Sequence, residues 1–170
     1  TYGTGELIRD ALERGCRKFL IAIGGSATND GGMGFLQALG FRFLDAEGQE
    51  LPGCGGSLSR IAQIDTSGAL SALTECQFTV ACDVTNPFYG REGAAYVFAP
   101  QKGADAEMVE ALDLGLRHFA QLIQTTQGIA IDQLPGAGAA GGLGGGLVAF
   151  LQARLRPGIE MVLDALQFDT

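Results

Sequence analysis

The nonapeptide GGSATNDGG at residues 24–32 constrains this chain more than any other stretch. The apolar run Phe19 to Ile23 before it reads as a buried strand, and the apolar stretch Met33 to Leu39 after it reads as a short helix. Strand, glycine-rich loop and helix in succession aim backbone N–H groups and a helix N-terminus at an anion. The loop also carries Ser26, Thr28, Asn29 and Asp30, more chemistry than a turn requires. The block points to a phosphate or sugar-acid site.

Glycine supplies 27 of the 170 residues, and twelve of these fall in 24–34 and 136–146. Average usage is about 7%, so the excess is concentrated in two loops and is not low-complexity sequence. With 46% apolar side chains, the chain is long enough to bury a core as one globular domain. A net charge of -8 argues against nucleic acid, whose phosphates need a basic face. It leaves room for a phosphorylated ligand neutralised by Mg²⁺ and a few placed cations. Cys16, Cys54, Cys76 and Cys82 form no C-x-x-C pair, and there is one histidine, which argues against zinc. Reduced thiols in a cytosolic protein are expected. No apolar run reaches the roughly 18 residues of a membrane span, and no signal peptide is visible. The first residue is Thr1, and the chain enters a helical pattern at once, as a segment of a longer protein would.

Glu6 to Arg14 reads as an amphipathic helix with Leu7, Ile8, Ala11 and Leu12 on one face and Gly15 ending it. FRFLDAEGQEL at 41–51 alternates around Ala46-Glu47-Gly48 as a β-hairpin does. Ser57 is placed to cap a short helix carrying Leu58 and Ile61. A second strand, Phe78 to Cys82, ends on Asp83. Residues 93–98 fit either a strand or one helical turn. Asp105 is placed to cap a long helix to about Gln127, with the stripe Val109, Leu112, Leu116, Phe119 and Ile123. A further helix is expected over Leu143 to Leu155 and a last one, opened by Pro157, over Ile159 to Leu166. The fold class is α/β, a mixed β-sheet with flanking helices, since the hairpin cannot be parallel.

Three more blocks carry chemistry. DVTNPFYG at 83–90 puts Asp83 at the end of a strand, where α/β enzymes place metal ligands and bases, followed by a turn at Asn86. PQKGA at 100–104 holds Lys102 just before a helix N-terminus, a favourable place for a phosphate or carboxylate. The glycines of 135–146, Gly136 and Gly138 first, let backbone approach a ligand closely or let two helices approach each other. Plainer readings stand beside these. Asn29 and Asp30 can cap the following helix, Asp83 can close a turn, Lys102 can be a surface lysine, and Gly144 to Gly146 can serve packing. His118 falls opposite the apolar stripe as a solvated residue, and Tyr96 and Phe98 read as core. Neither a Walker A pattern nor a G-x-G-x-x-G fingerprint is present. From the residues alone the reading is an α/β domain whose loops converge on an anionic small molecule.

The runs YGTGELI (2–8), GGSATNDGG, ALG (38–40), CDVTNP (82–87), PQKGA, PGAGAAGGLG and PGIE (157–160) occur in the order in which they occur in the bacterial type-1 glycerate kinase family, which the whole chain resembles. Phe88 stands where that family usually carries Leu. The resemblance implies a cytoplasmic, ATP-dependent kinase phosphorylating D-glycerate, most members giving 2-phosphoglycerate. It also implies a longer two-domain α/β protein. Segments with Ser-Phe-Lys and Thr-Gly-Glu-Gly motifs would flank residues 1–170. This chain would be the central, inserted domain, one wall of a cleft completed by a second domain of the same polypeptide.

Within that frame the 24–32 loop would hold glycerate or the transferring phosphate through Gly24, Gly25, Ser26, Thr28, Asn29 and Gly31, with Asn86, Gly136 and Gly138 as further binding positions. Asp30 would be the base or orienting acceptor for the substrate hydroxyl. Asp83 would be a second acid, for the same role or for Mg²⁺, and Lys102 would offset negative charge. Two readings of other classes compete: a non-catalytic small-anion-binding or regulatory domain, and a purely structural unit whose acids are caps.

Overall fold

The structure, a computed structural model, describes residues 1–168. Helix α1 (Tyr2–Glu13) leads to strand β1 (Lys18–Ala22), and helix α2 (Met33–Ala38) follows the glycine-rich loop. Strand β4 (Gln77–Ala81) lies parallel to β1, and β5 (Arg154–Arg156) lies parallel to β4, giving a sheet ordered β1-β4-β5. β2 (Arg42–Leu44) and β3 (Gln63–Asp65) pair antiparallel in a sheet of their own. Parallel and antiparallel pairing are both present, then, but in two sheets where the sequence suggested one.

One face of the parallel sheet is the core face. Ile21, Phe78 and Val80 are buried on it, and Phe19 stacks on Phe78 with ring centroids 5.0 Å apart. On the other face Leu20 is 66% exposed, and Ala22 beside it is exposed too. Helix α4 (Ala106–Gln127) crosses the core behind the loops. Asp105 caps it, its side chain accepting from Met108 N–H at 2.8 Å, and Gly128 ends it at φ +72°. Its buried stripe of Val109, Leu116, Phe119 and Ile123 follows the expected spacing. Phe119 meets Phe43 edge-on at 5.7 Å and Phe150 at 6.3 Å, joining the second sheet to helix α5 (Leu143–Leu151).

Several expectations are corrected by packing. On α1 the inward residues are Gly5 and Leu12, and Leu7 is 72% exposed. Gly5 is the closest approach to α2, where a Cβ would strike the Phe35 carbonyl, so the helix is rotated about that contact. The 41–51 turn forms, with Asp45 accepting from Glu47 and Gln49 N–H groups, but its returning arm is a single bridge between Leu44 and Glu50. Pro52 has no N–H to extend the ladder, and β2 instead takes β3 as partner. Residues 93–98 settle as helix α3 (Ala94–Phe98). The helix expected to reach Leu155 stops at Leu151, with Gln152 at φ +53°, because Arg154–Arg156 pairs with β4. The last helix, α6 (Gly158–Ala165), takes Pro157 as its N-cap and buries none of its side chains. The short helix near Ser57 is a 3₁₀ segment, Gly55–Arg60, under α4. His118 is half-buried, its Nε2 2.7 Å from the Ile61 carbonyl of that segment.

Candidate functional site

Strands β1 and β4 run in the same direction and end side by side, so the residues that leave them meet at one edge. From β1 the chain continues as Ile23, Gly24, Gly25 and Ser26. From β4 it continues as Cys82, Asp83 and Val84. Between these exits lies a cleft of about 260 Å³, closed on its other sides by Phe98, Gln101 and the pair Ala139–Ala140. The C-terminal edge of a parallel sheet is the usual place for a ligand in open α/β architectures.

The glycines of the loop divide sharply. A Cβ built on Gly24 or Gly25 would meet nothing within 4 Å, whereas one on Gly31 would press on the Phe119 ring and one on Gly32 on Leu143. Gly25 needs its φ of +69°; Gly24 has neither a left-handed backbone nor a protein neighbour to explain it. The empty space in front of Gly24 and Gly25 belongs to the cleft.

Asp83 is exposed at the mouth, and its Oδ1 accepts the Gly158 N–H at the start of α6 at 2.7 Å. Its second oxygen makes no protein hydrogen bond among the described residues. Cys82 beside it is buried, its thiol directed at the Val84 carbonyl at 3.3 Å. Burial pushes that thiol above its ordinary range, which keeps it protonated and unsuited to nucleophilic work at neutral pH.

Asp30 and Lys102, both expected to face a ligand, turn toward the protein. Asp30 is 2% exposed. Its Oδ1 accepts from Gly32 N–H at 2.9 Å and its Oδ2 from Gly34 N–H at 3.2 Å. Thr1 adds its hydroxyl at 2.7 Å and its backbone nitrogen at 3.0 Å to the same Oδ2. The carboxylate caps α2 from inside, as the plainer reading had it. Lys102 is half-buried, and its ammonium donates to the Thr28 carbonyl at 2.7 Å. Burial holds it below the ordinary lysine range, with the charge of Asp30 pulling the other way.

The other expected binding residues support the cleft from behind. Asn86 donates from Nδ2 to the Glu92 carbonyl at 2.8 Å, and its own carbonyl accepts from Gly138 N–H at 3.0 Å. Gly136, at φ +85°, lies against Cys82 Sγ and Leu155. Gly31 N–H donates to the Gly141 carbonyl at 3.0 Å. Asn29 differs from these: its Oδ1 is buried and has no hydrogen-bond partner among the described residues. An orphaned buried acceptor costs about 1–3 kcal/mol, and Asn29 does not line the cleft.

Several residues of this region escaped the sequence reading. Phe98, expected in the core, lines the cleft, and the alanines at 139 and 140 carry no chemical signal of their own. Asp113 is buried in α4 and accepts from Gly90 N–H at 2.6 Å, fixing the loop that follows Asp83. A larger hollow of about 640 Å³, between Phe41, Leu73 and Phe150, contains none of the motif residues. Among the described residues no three His, Cys, Asp or Glu side chains converge as a metal cage would require. Nor is any helix long and apolar enough to cross a membrane.

A glycine-rich exit from one parallel strand facing a carboxylate at the exit of the next defines an α/β domain with an open cleft at the C-terminal edge of its sheet, the usual ligand position in this architecture. Comparison with known proteins makes the class specific. The sequence profile of the glycerate kinase family matches residues 1–170, and the chain belongs to that family. It is 51% identical over 170 residues to the glycerate kinase of Bacillus subtilis (strain 168), covering 100% of this chain and 44% of that protein. It is 51% identical over 167 residues to the glycerate 2-kinase of Escherichia coli (strain K12), covering 98% and 44%. A crystal structure from Salmonella typhimurium LT2, provisionally assigned as glycerate kinase 2, superposes with a TM-score of 0.94 at 53% identity. That match covers 98% of this chain and 44% of the other. The chain thus spans less than half the length of these relatives.

Proposed function

We propose that this chain is the central domain of an ATP-dependent kinase that phosphorylates D-glycerate, with 2-phosphoglycerate the expected product, and that it forms one wall of the active-site cleft. The observation that carries the reading is the bare backbone at Gly24 and Gly25, facing Asp83 across open space. The names and lengths of the relatives support the substrate and the second domain. So does the uncovered sheet face at Leu20, since parallel sheets are ordinarily covered on both sides. Four free thiols agree with a cytoplasmic protein.

Bound ATP would supply the phosphoryl group, and Mg²⁺ would offset its charge. The donor set fits such a metal: Asp83 offers one hard carboxylate oxygen not engaged by Gly158, and Mg²⁺ is commonly held by one or two carboxylates together with substrate phosphates. Gly24, Gly25 and the Ser26 hydroxyl approach the anion. With Asp30 occupied at α2, the role of base or metal ligand falls to Asp83.

The test is D-glycerate-dependent ADP release from Mg·ATP by the full-length protein and by residues 1–170 in parallel. Turnover by the former alone supports a kinase whose site needs both walls. Ligand binding without turnover by the full-length protein would favour an anion-binding or regulatory domain.

A further inference from the structure

The loop that faces the cleft is poorly anchored where it matters. Among the described residues, no hydrogen bond is made by the backbone or side chains of residues 24–27 beyond the end of β1. The first fixed point downstream is the Thr28 carbonyl, and it is held from two sides. Lys102 reaches in from the 3₁₀ turn Pro100–Lys102 and donates to it at 2.7 Å. From the opposite loop Gly141, at φ +67°, lies so close that a Cβ there would overlap the same carbonyl. Three residues on, Gly31 N–H closes the junction by donating to the Gly141 carbonyl at 3.0 Å.

We infer that Lys102 is a positioning residue: with the bare Cα of Gly141 as its stop, its ammonium clamps the Thr28 carbonyl and so sets the shape of the ligand-binding loop. The long lysine side chain is what spans the gap between the two segments. The clamp also fixes the backbone of the next residue, Asn29, before any ligand arrives. The catalytic consequence rests on the function proposed above, whereas the clamp itself does not depend on it.

The experiment uses the full-length protein with Lys102→Met, Lys102→Arg and Gly141→Ala variants, each checked for a cooperative urea transition. Hydrogen exchange is followed at the Gly31 and Gly32 amides without ligand, and glycerate kinetics are measured alongside. Lys102→Met is expected to speed exchange at these two amides at least about tenfold, with the α4 amides unchanged. Lys102→Arg, which keeps a long donor, is expected to restore most of the protection. Gly141→Ala should reproduce the Lys102→Met pattern. Unchanged exchange in folded Lys102→Met overturns the inference whatever happens to activity. A kinetic loss with unchanged exchange would assign Lys102 to direct ligand contact. Wild-type protein without glycerate turnover would overturn the proposed function and leave the exchange result to decide the clamp.

Discussion

Replacing Asp30 separates a structural acid from a reacting one. An exposed N-cap is worth about 1 kcal/mol, but Asp30 is 2% exposed and its partners Gly32 N–H and Gly34 N–H are buried with it. Asp30→Ala strands both donors and the Thr1 hydroxyl. At about 1–3 kcal/mol for each buried donor left unpaired, partly relieved by relaxation, the loss should be ~2–5 kcal/mol. That is a large share of the roughly 5–15 kcal/mol stability of a typical domain. Asp30→Asn keeps one carbonyl oxygen for Gly32 N–H but sets an amide donor against Gly34 N–H, so it should cost nearly as much as Asp30→Ala. Urea unfolding with an unchanged m-value measures both losses. In the folded Asp30→Asn protein turnover should stay within about tenfold of wild type, since a general base contributes roughly 10²–10⁴. An Asp30→Ala cost below about 1 kcal/mol would refute the buried-cap argument, and a base-sized rate loss in well-folded Asp30→Asn would return Asp30 to the reacting centre.

Other expectations follow from the same geometry. Gly24→Val places a side chain in open space without backbone strain, so stability should change by no more than ~0.5 kcal/mol. The kcat/KM for glycerate or Mg·ATP should fall at least about tenfold, and an active variant would remove the loop from the ligand site. Asp83→Asn keeps an acceptor for Gly158 N–H and should fold normally, yet lose roughly 10²–10⁴ in kcat, with Mg²⁺ titration showing whether the metal requirement shifts. Cys82, raised by burial from an ordinary 9.0, stays protonated in the folded state at pH values where the unfolded thiol ionises. Its contribution to stability is therefore complete below about pH 9 and is lost as pH rises through the folded value. Cys82→Ala should flatten the alkaline decline in urea midpoint, and an unaltered decline would show that the thiol does not contribute.

What could be read in advance were elements whose signals are local. α4 announced itself through the Asp105 cap, four buried residues at helical spacing and Gly128 as stop. The 24–32 loop did so through its density of glycines and hydroxyls. β3 and β5 could not be read this way, because strands of three residues carry no period and exist only through their partners. The same limit applies to direction. Asp30 and Asp83 are each acids beside a loop in the sequence, and only packing turns one inward to α2 and leaves the other at the cleft. Phe98 lines the site because helix α3 delivers it there, and Ala139 because the turn before α5 does, a fact about tertiary placement that no residue type encodes.

The second glycine block explains why the first can work. Gly138 lies under the Pro87 carbonyl, Gly141 under that of Thr28 and Gly146 under that of Gly31, so each would drive a Cβ into a neighbouring carbonyl. Gly142 and Gly145 leave room for the Phe88 ring, which is itself fully buried. The two blocks therefore meet backbone to backbone at Thr28–Gly141 and Gly31–Gly146. A floor made this way fixes the Thr28–Gly31 end of the loop, while the edge at Gly24 and Gly25 stays bare. Substitutions at Gly141 and Gly146, neither of which lines the cleft, should then damage ligand binding from behind, through the Thr28–Gly31 segment.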